Sequence, residues 1–206
     1  MLQAWKLAWQ RWRYRNAVSP ELHACWQRPP QLDKFLVVDI ETNSLDAKQG
    51  EVVSLAWVAV NANRIVLKNS EHLLVLGNQS VSESAGFHLL RDCERSQGLP
   101  VKDVMALFLA AAAGRTLVFH YAGLDMAFLN TLSRKLYAAP LLLPFIDTLE
   151  IEKQKMQRRD QPIVKGDLRL GACRKRYGLP EYPAHNAFND ALATAELLLA
   201  QKQVLA

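Results

Sequence analysis

Asp39 and Glu41 stand one residue apart inside FLVVDIET, a stretch otherwise rich in β-branched and apolar side chains. Such a stretch reads as a strand, and residues i and i+2 of a strand point to the same side of a sheet. Two carboxylates on one face of an apolar strand restrict the fold severely. A lone ionised acid in apolar surroundings loses more hydration energy than one residue's share of folding can replace, unless it is paired or holds a metal. The same tension recurs downstream, with His120 and Asp125 in LVFHYAGLDMAFL and His185 and Asp190 in HNAFNDALATAELLL. A cationic species is expected among these four carboxylates.

The pattern around them is that of a mixed α/β domain beginning near Lys34. FLVVDI, EVVSLAWVAV and NANRIVLKNSEHLLVL read as three strands of an antiparallel meander, with a turn at Asn61 to Asn63. VKDVMALFLAAAAG predicts a helix ending at Gly114, TLVFH a strand, and GLDMAFLNTLSRKLY a second helix. LLLPFIDTLEI passes from strand to helix at about Asp147, GDLRLGACRKRYGLP carries a helix stopping at Gly178 and Pro180, and a strongly apolar helix runs from about Ala187 to Val204. Hairpin strands followed by strands alternating with helices predict an α/β fold, a mixed β-sheet with helices on its faces.

Residues 1–32 differ in composition, with Lys6, Arg11, Arg13, Arg15 and Arg28 against Glu21 alone. Trp5, Trp9 and Trp12 fall at helical spacing before a Pro29-Pro30 break, so a basic helical N-terminal extension is expected ahead of a domain at 33–206. The plainest expectation is that these tryptophans pack on the main domain. A contact with a protein partner or nucleic acid, and attachment to a membrane surface, are the alternatives.

A chain of 206 residues with 50% apolar and 22% charged content is long enough for one well-cored domain. Its longest apolar runs fall short of the roughly 20 residues a membrane span requires, and the N-terminus lacks the features of a signal peptide, so a cytoplasmic location is expected. Cys25, Cys93 and Cys173 are odd in number and widely spaced, which supports neither a disulfide framework nor a zinc knuckle. The net charge of +5 persists although the proposed site is itself acidic. A polyanionic partner fits that division, with basic flanks holding phosphates around an acidic centre that needs metal to accept them.

Clustered oxygen ligands without cysteine select a hard cation, Mg²⁺ or Mn²⁺. Two such ions about 3.5–4 Å apart clamp a scissile phosphate, and a neutral histidine beside the attacking water takes its proton near neutral pH. Each motif alone has a structural explanation: a strand-end turn, a helix cap, a cap with a solvated acid. Together, in this order and each at an element junction, they assemble the parts of a phosphodiesterase.

DIETNSLDAKQGEVVSLAWV, LVFHYAGLDMAFL and HNAFNDALATAELLL resemble the three exonuclease motifs of the DnaQ-like 3′–5′ exonucleases, in the DEDDh subgroup that includes the epsilon proofreading subunit of DNA polymerase III and RNase T. The resemblance covers about residues 34–203. It implies a ribonuclease H-like sheet, two divalent metal ions and a nucleoside 5′-monophosphate product. It also implies that Asp39 bridges both ions, that Glu41 and Asp190 complete the first site, that Asp125 supports the second, and that His185 is the general base. By the same resemblance the backbone around Thr42 and the side chain of Leu45 receive the terminal nucleotide.

Asn43-Ser44 stands where many relatives have Thr-Gly, and Tyr121 where Asn often follows the second-motif histidine; both departures bear on pocket shape. For His120 a helix-capping or substrate-facing role is expected rather than direct catalysis. Asp147, part of an Asp-Thr pair that recurs in the family, is expected to cap the following helix. The basic stretch from Lys153 to Arg176 is either a solvated face or a phosphate-tracking flank. The reading is thus a metal-dependent exonuclease for single-stranded 3′ ends, DNA favoured weakly over RNA. An RNA-trimming or oligoribonuclease-like enzyme, and a non-catalytic polymerase-associated module, are the alternatives.

Overall fold

The computed structural model describes residues 2–77, 97–183 and 185–205, and Cys93 falls outside them. Two helices, α1 (Leu2–Tyr14) and α2 (Pro20–Trp26), precede strands β1 (Lys34–Thr42), β2 (Val52–Asn61) and β3 (Arg64–Leu74). Then come α3 (Val101–Ala112), β4 (Thr116–Phe119), α4 (Ala122–Tyr137), β5 (Phe145–Asp147), α5 (Thr148–Arg158), α6 (Leu170–Arg176) and α7 (Ala187–Leu205). The strands form one five-stranded sheet in the order β3-β2-β1-β4-β5. β1 to β3 pair antiparallel, as the meander pattern predicts, whereas β4 lies parallel to β1 and β5 parallel to β4. Parallel neighbours need a crossover, and α4 supplies the one between β4 and β5.

Both faces of the sheet are covered, which is why β2 is buried along nearly its whole length rather than on alternate residues. On one face Leu36, Val38, Leu55, Trp57, Leu117 and Phe119 pack with Leu22 and Trp26 of α2, Met105 and Phe108 of α3, and Phe128 and Leu129 of α4. On the other, Val37, Val58, Val60 and Val118 meet Ala191, Ala195 and Leu198 of α7. Alanines spaced by four let α7 lie close to the sheet.

The N-terminal segment departs from expectation in two ways. It forms two helices rather than one, because Ser19 caps a new helix, accepting from the Leu22 amide at 3.5 Å, with Pro20 in its first turn. Trp26 of α2 enters the core and donates from Nε1 to the Leu141 carbonyl at 2.7 Å. The tryptophans of α1 do not pack on the domain: Trp5, Trp9 and Trp12 are 78%, 58% and 58% exposed. Arg11 takes the inward position, donating to the Leu142 carbonyl at 3.0 and 2.8 Å and to the Trp26 carbonyl at 3.1 Å. Carbonyls at a helix end and in the loop before β5 need donors, and a guanidinium supplies several in a fixed geometry. Among the described residues no helix is long and apolar enough to cross a membrane.

Candidate active site

The alternation of β1 decides where its acids go. Leu36, Val38 and Ile40 face one core and Val37 the other, so Asp39 and Glu41 continue the face of Val37, the one that α7 covers. α7 begins at Ala187, which sets Asp190 in its first turn beside the emerging end of β1. Oxygen atoms of Asp39, Glu41 and Asp190 all lie within 4.8 Å of one another. A carboxylate in the first turn of a helix is favoured by the unpaired amides there, and Asp190 uses this setting to accept from the His185 amide at 3.1 Å.

Asp125 approaches from α4 on the opposite side. It is buried, near enough for its charge to raise the pKa of Asp39, but it stands outside the tight trio of oxygens. Burial is the chief force raising its own pKa, to about 7, opposed by backbone hydrogen bonds from its own amide and that of Ile40. Burial likewise raises Glu41 to about 7, with Asp190 adding and His185 opposing. Asp39 is pushed well above the ordinary carboxylate range by burial and then by Asp125, Asp190 and Glu41; Asp190 is raised by burial too. Four carboxylates driven together toward protonation form an environment that a divalent cation relieves, and an all-oxygen donor set suits a hard one. The donor chemistry therefore fits the metal expected from the sequence.

His185 sits outside this cluster yet attached to it. Its side chain is exposed, its backbone adopts φ +66°, and its charge acts on both Glu41 and Asp190. The first-motif residues expected to face the substrate are also arranged locally. Thr42 is buried and donates from Oγ1 to the Ser44 carbonyl at 2.8 Å, while Asn43 Oδ1 accepts from the Glu51 amide at 2.7 Å. These bonds close a loop whose tip exposes 84% of Leu45. Gly50 permits that closure, since a Cβ there would stand 2.6 Å from Ser44 Cβ.

His120 turns both ring nitrogens toward the protein's own groups, with Nδ1 2.9 Å from Thr148 Oγ1 and Nε2 2.9 Å from the Leu168 carbonyl. Burial lowers its pKa. Asp147 does more than the one cap the sequence suggests. It accepts from Leu149 at the start of α5, and also from the Tyr121 and Ala122 amides, at 2.9 and 2.8 Å, at the start of α4. Tyr121, at φ +72°, turns those amides toward it, so one carboxylate braces the helix that presents Asp125.

The basic stretch divides in two. Arg174 is buried, Arg176 binds Glu152 through Nε at 2.8 Å, and Lys155 reaches the Tyr177 hydroxyl at 3.0 Å. Arg158, Arg159, Lys165, Arg169 and Lys175 remain exposed. Arg169 also lines a cavity of about 360 Å³ with His120, Tyr121 and Leu168. Sequence reasoning missed the inward role of Arg174; its position on an apolar face, next to Cys173, was the available signal.

The exonuclease family that includes RNase T matches residues 36–198. The PolC-type DNA polymerase III of Halalkalibacterium halodurans is 33% identical over 174 residues, covering 82% of this chain and 11% of that protein. The PolC-type enzyme of Thermotoga maritima is 25% identical over 170 residues, covering 80% and 12%. The chain thus spans only 11–12% of the length of these curated relatives. Among solved structures, cell-death related nuclease 4 superposes with a TM-score of 0.69 at 19% identity, over 84% of this chain and 64% of that one. Exonuclease I does so with a TM-score of 0.69 at 16% identity, over 83% and 41%. At such identities the likeness is one of fold.

Proposed function

Because this chain belongs to the RNase T exonuclease family, as a DnaQ-like 3′–5′ exonuclease of the DEDDh kind, we propose that it removes nucleotides from single-stranded 3′ ends by two-metal hydrolysis. The observation that carries this reading is the convergence of Asp39, Glu41 and Asp190 within 4.8 Å, with His185 tethered to Asp190. Asp39, Glu41 and Asp190 would hold one Mg²⁺ or Mn²⁺, with Asp39 also reaching a second supported by Asp125. Bound there, the ions would polarise the scissile phosphate and acidify the attacking water.

The remaining steps belong to the chain. His185 accepts the water's proton at a ring nitrogen, its exposed position giving the base access to solvent between turnovers. Thr42 and Leu45 receive the terminal nucleotide, Leu45 against its base. His120, with both nitrogens engaged, keeps the floor of the adjoining cavity in place, and the exposed cations near Arg169 draw the phosphates of the strand. The product is a nucleoside 5′-monophosphate. DNA is preferred as substrate because the curated relatives are, by name, DNA polymerases. RNA trimming remains the rival, served by the same carboxylates.

Residues 1–32 enter the proposal as a segment that docks single-stranded nucleic acid outside the cleft. What supports this is the exposed Trp5, Trp9 and Trp12 stripe, the absence of acidic residues in α1, and Arg13 and Arg15 lying 5.1 and 4.1 Å from the Trp9 and Trp12 rings. The central test is release of mononucleotides from 5′-labelled single-stranded DNA and RNA, with Mg²⁺, Mn²⁺ or chelator. Asp190→Asn should abolish release and His185→Ala should lower it to a small residual rate, both leaving the fold intact; full turnover in both rejects the mechanism.

A further inference from the structure

The general base assigned above lies on the segment between α6 and α7, whose described residues are all exposed or half-buried. It arches over a cavity of about 230 Å³ bounded by Leu170, Arg174, Pro180, Tyr182 and Asp190. It ends at His185 in a left-handed conformation that an L-residue adopts at a cost, so the arch relaxes unless something pins it. The Asp190 carboxylate pins one end through the His185 amide. At the other end, contacts from Arg174 and Glu196 hold Pro180 and Tyr182.

Arg174 of α6 is the hub. It is buried; NH2 donates to the Pro180 carbonyl at 2.8 Å and to Glu196 Oε2 at 2.7 Å, and NH1 donates to the Ala193 carbonyl of α7. Its guanidinium lies 4.7 Å from the centre of the Tyr182 ring, whose hydroxyl donates to Glu196 Oε1 at 2.9 Å. Glu196 therefore joins the arginine and the tyrosine, one oxygen to each. Tyr182 is three residues from His185 in sequence, so the fixed point lies close to the base along the chain. A carboxylate that accepts a charge-assisted hydrogen bond from a guanidinium with one oxygen and a phenol hydroxyl with the other fixes both donors relative to each other, which suits it to hold a loop in one place.

We infer that Arg174, Glu196 and Tyr182 form a positioning clamp that holds the His185 loop over the carboxylate cluster. The clamp rests on the reading of His185 as the base. It touches neither substrate nor metal in that reading, so loosening it should lower kcat without altering KM or the Mg²⁺ concentration for half-maximal activity.

The test uses the full chain on a 5′-labelled single-stranded oligonucleotide. Tyr182→Phe removes one hydroxyl from a partly exposed ring and should leave thermal stability nearly unchanged while lowering kcat about threefold; Glu196→Gln should lower it about tenfold or more, since small misplacements of a reacting group are costly. In a His185→Ala background neither substitution should reduce the residual rate further. Unchanged kcat in both variants overturns the clamp, as does an equal loss with and without His185, or a shift of the Mg²⁺ requirement. Retention of full activity by His185→Ala overturns the base assignment itself, a result distinguishable from failure of the clamp alone.

Discussion

Replacing Asp125 by asparagine should stabilise the chelated protein at alkaline pH while removing its activity. Asp125 is 7% exposed, and burial is the main reason its pKa rises from 3.8 to about 7, with Asp147 and Glu41 contributing. A group whose folded pKa is raised contributes stability that is complete below the unfolded value and is lost as pH rises through the folded one. For Asp125 this loss runs from about pH 4 to about pH 7. At about 1.36 kcal/mol per pKa unit, the interval corresponds to about 4 kcal/mol, and water entering the cleft as the acid ionises brings the expected cost to about 2–4 kcal/mol.

Asparagine has nearly the same shape, carries no charge, and retains an oxygen for the Ile40 amide. Urea unfolding in chelator at about pH 8 should therefore show Asp125→Asn more stable than wild type by about 2–4 kcal/mol, the gap narrowing to about 1 kcal/mol near pH 4.5. In a domain of this size that gap corresponds to about 2–4 °C in Tm per kcal/mol. Saturating Mg²⁺ should reverse the order, because it binds the native carboxylates of wild type. The reasoning fails if wild type in chelator is as stable as the variant at alkaline pH, or if the difference does not shrink in acid.

Gly50→Ala should displace the Leu45 loop, since the new Cβ would meet Ser44 Cβ at 2.6 Å; steady-state kinetics should show a KM raised severalfold, with about 1–3 kcal/mol lost in denaturant unfolding. Glu152 is buried, and although burial alone would raise its pKa, hydrogen bonds from Arg176, Tyr177 and Gln201 hold it below the ordinary value. Its contribution is present above about pH 4.5 and is lost as pH falls through the depressed value, so Glu152→Ala should cost about 2–4 kcal/mol at neutral pH and less in acid, measured by urea unfolding. Changing Trp5, Trp9 and Trp12 together to alanine should barely move Tm, but should weaken binding of a long oligothymidylate at least about tenfold while sparing a trinucleotide. Unchanged affinity for the long strand, or loss of a bound protein instead, would remove nucleic acid as the ligand of α1.

The site was legible in the sequence to the extent that its chemistry is local. Asp39 and Glu41 share a face because strands alternate, and Asp190 lies in a first helical turn because the apolar periodicity of α7 begins just before it. The same local rules located the β1–β3 meander and the capping of α5 by Asp147. What they do not reach is any preference that depends on two distant segments at once. Asp147 also caps α4 because β5 ends beside the start of that helix, a juxtaposition set by parallel pairing with β4.

Charge and hydrophobicity also mislead where tertiary packing reverses them. Three tryptophans in α1 promised an inward face, yet Arg11 lies inward because carbonyls at Trp26 and Leu142 needed donors. Arg174 belonged to a run that read as either a solvated face or a phosphate-tracking flank, yet it is buried because Ala193, Pro180 and Glu196 surround it with acceptors. Periodicity along the chain determined which elements form and which side each acid faces. Only the folded structure decided which helix end meets which strand end, because hydrogen-bond satisfaction at those junctions depends on partners far apart in the sequence.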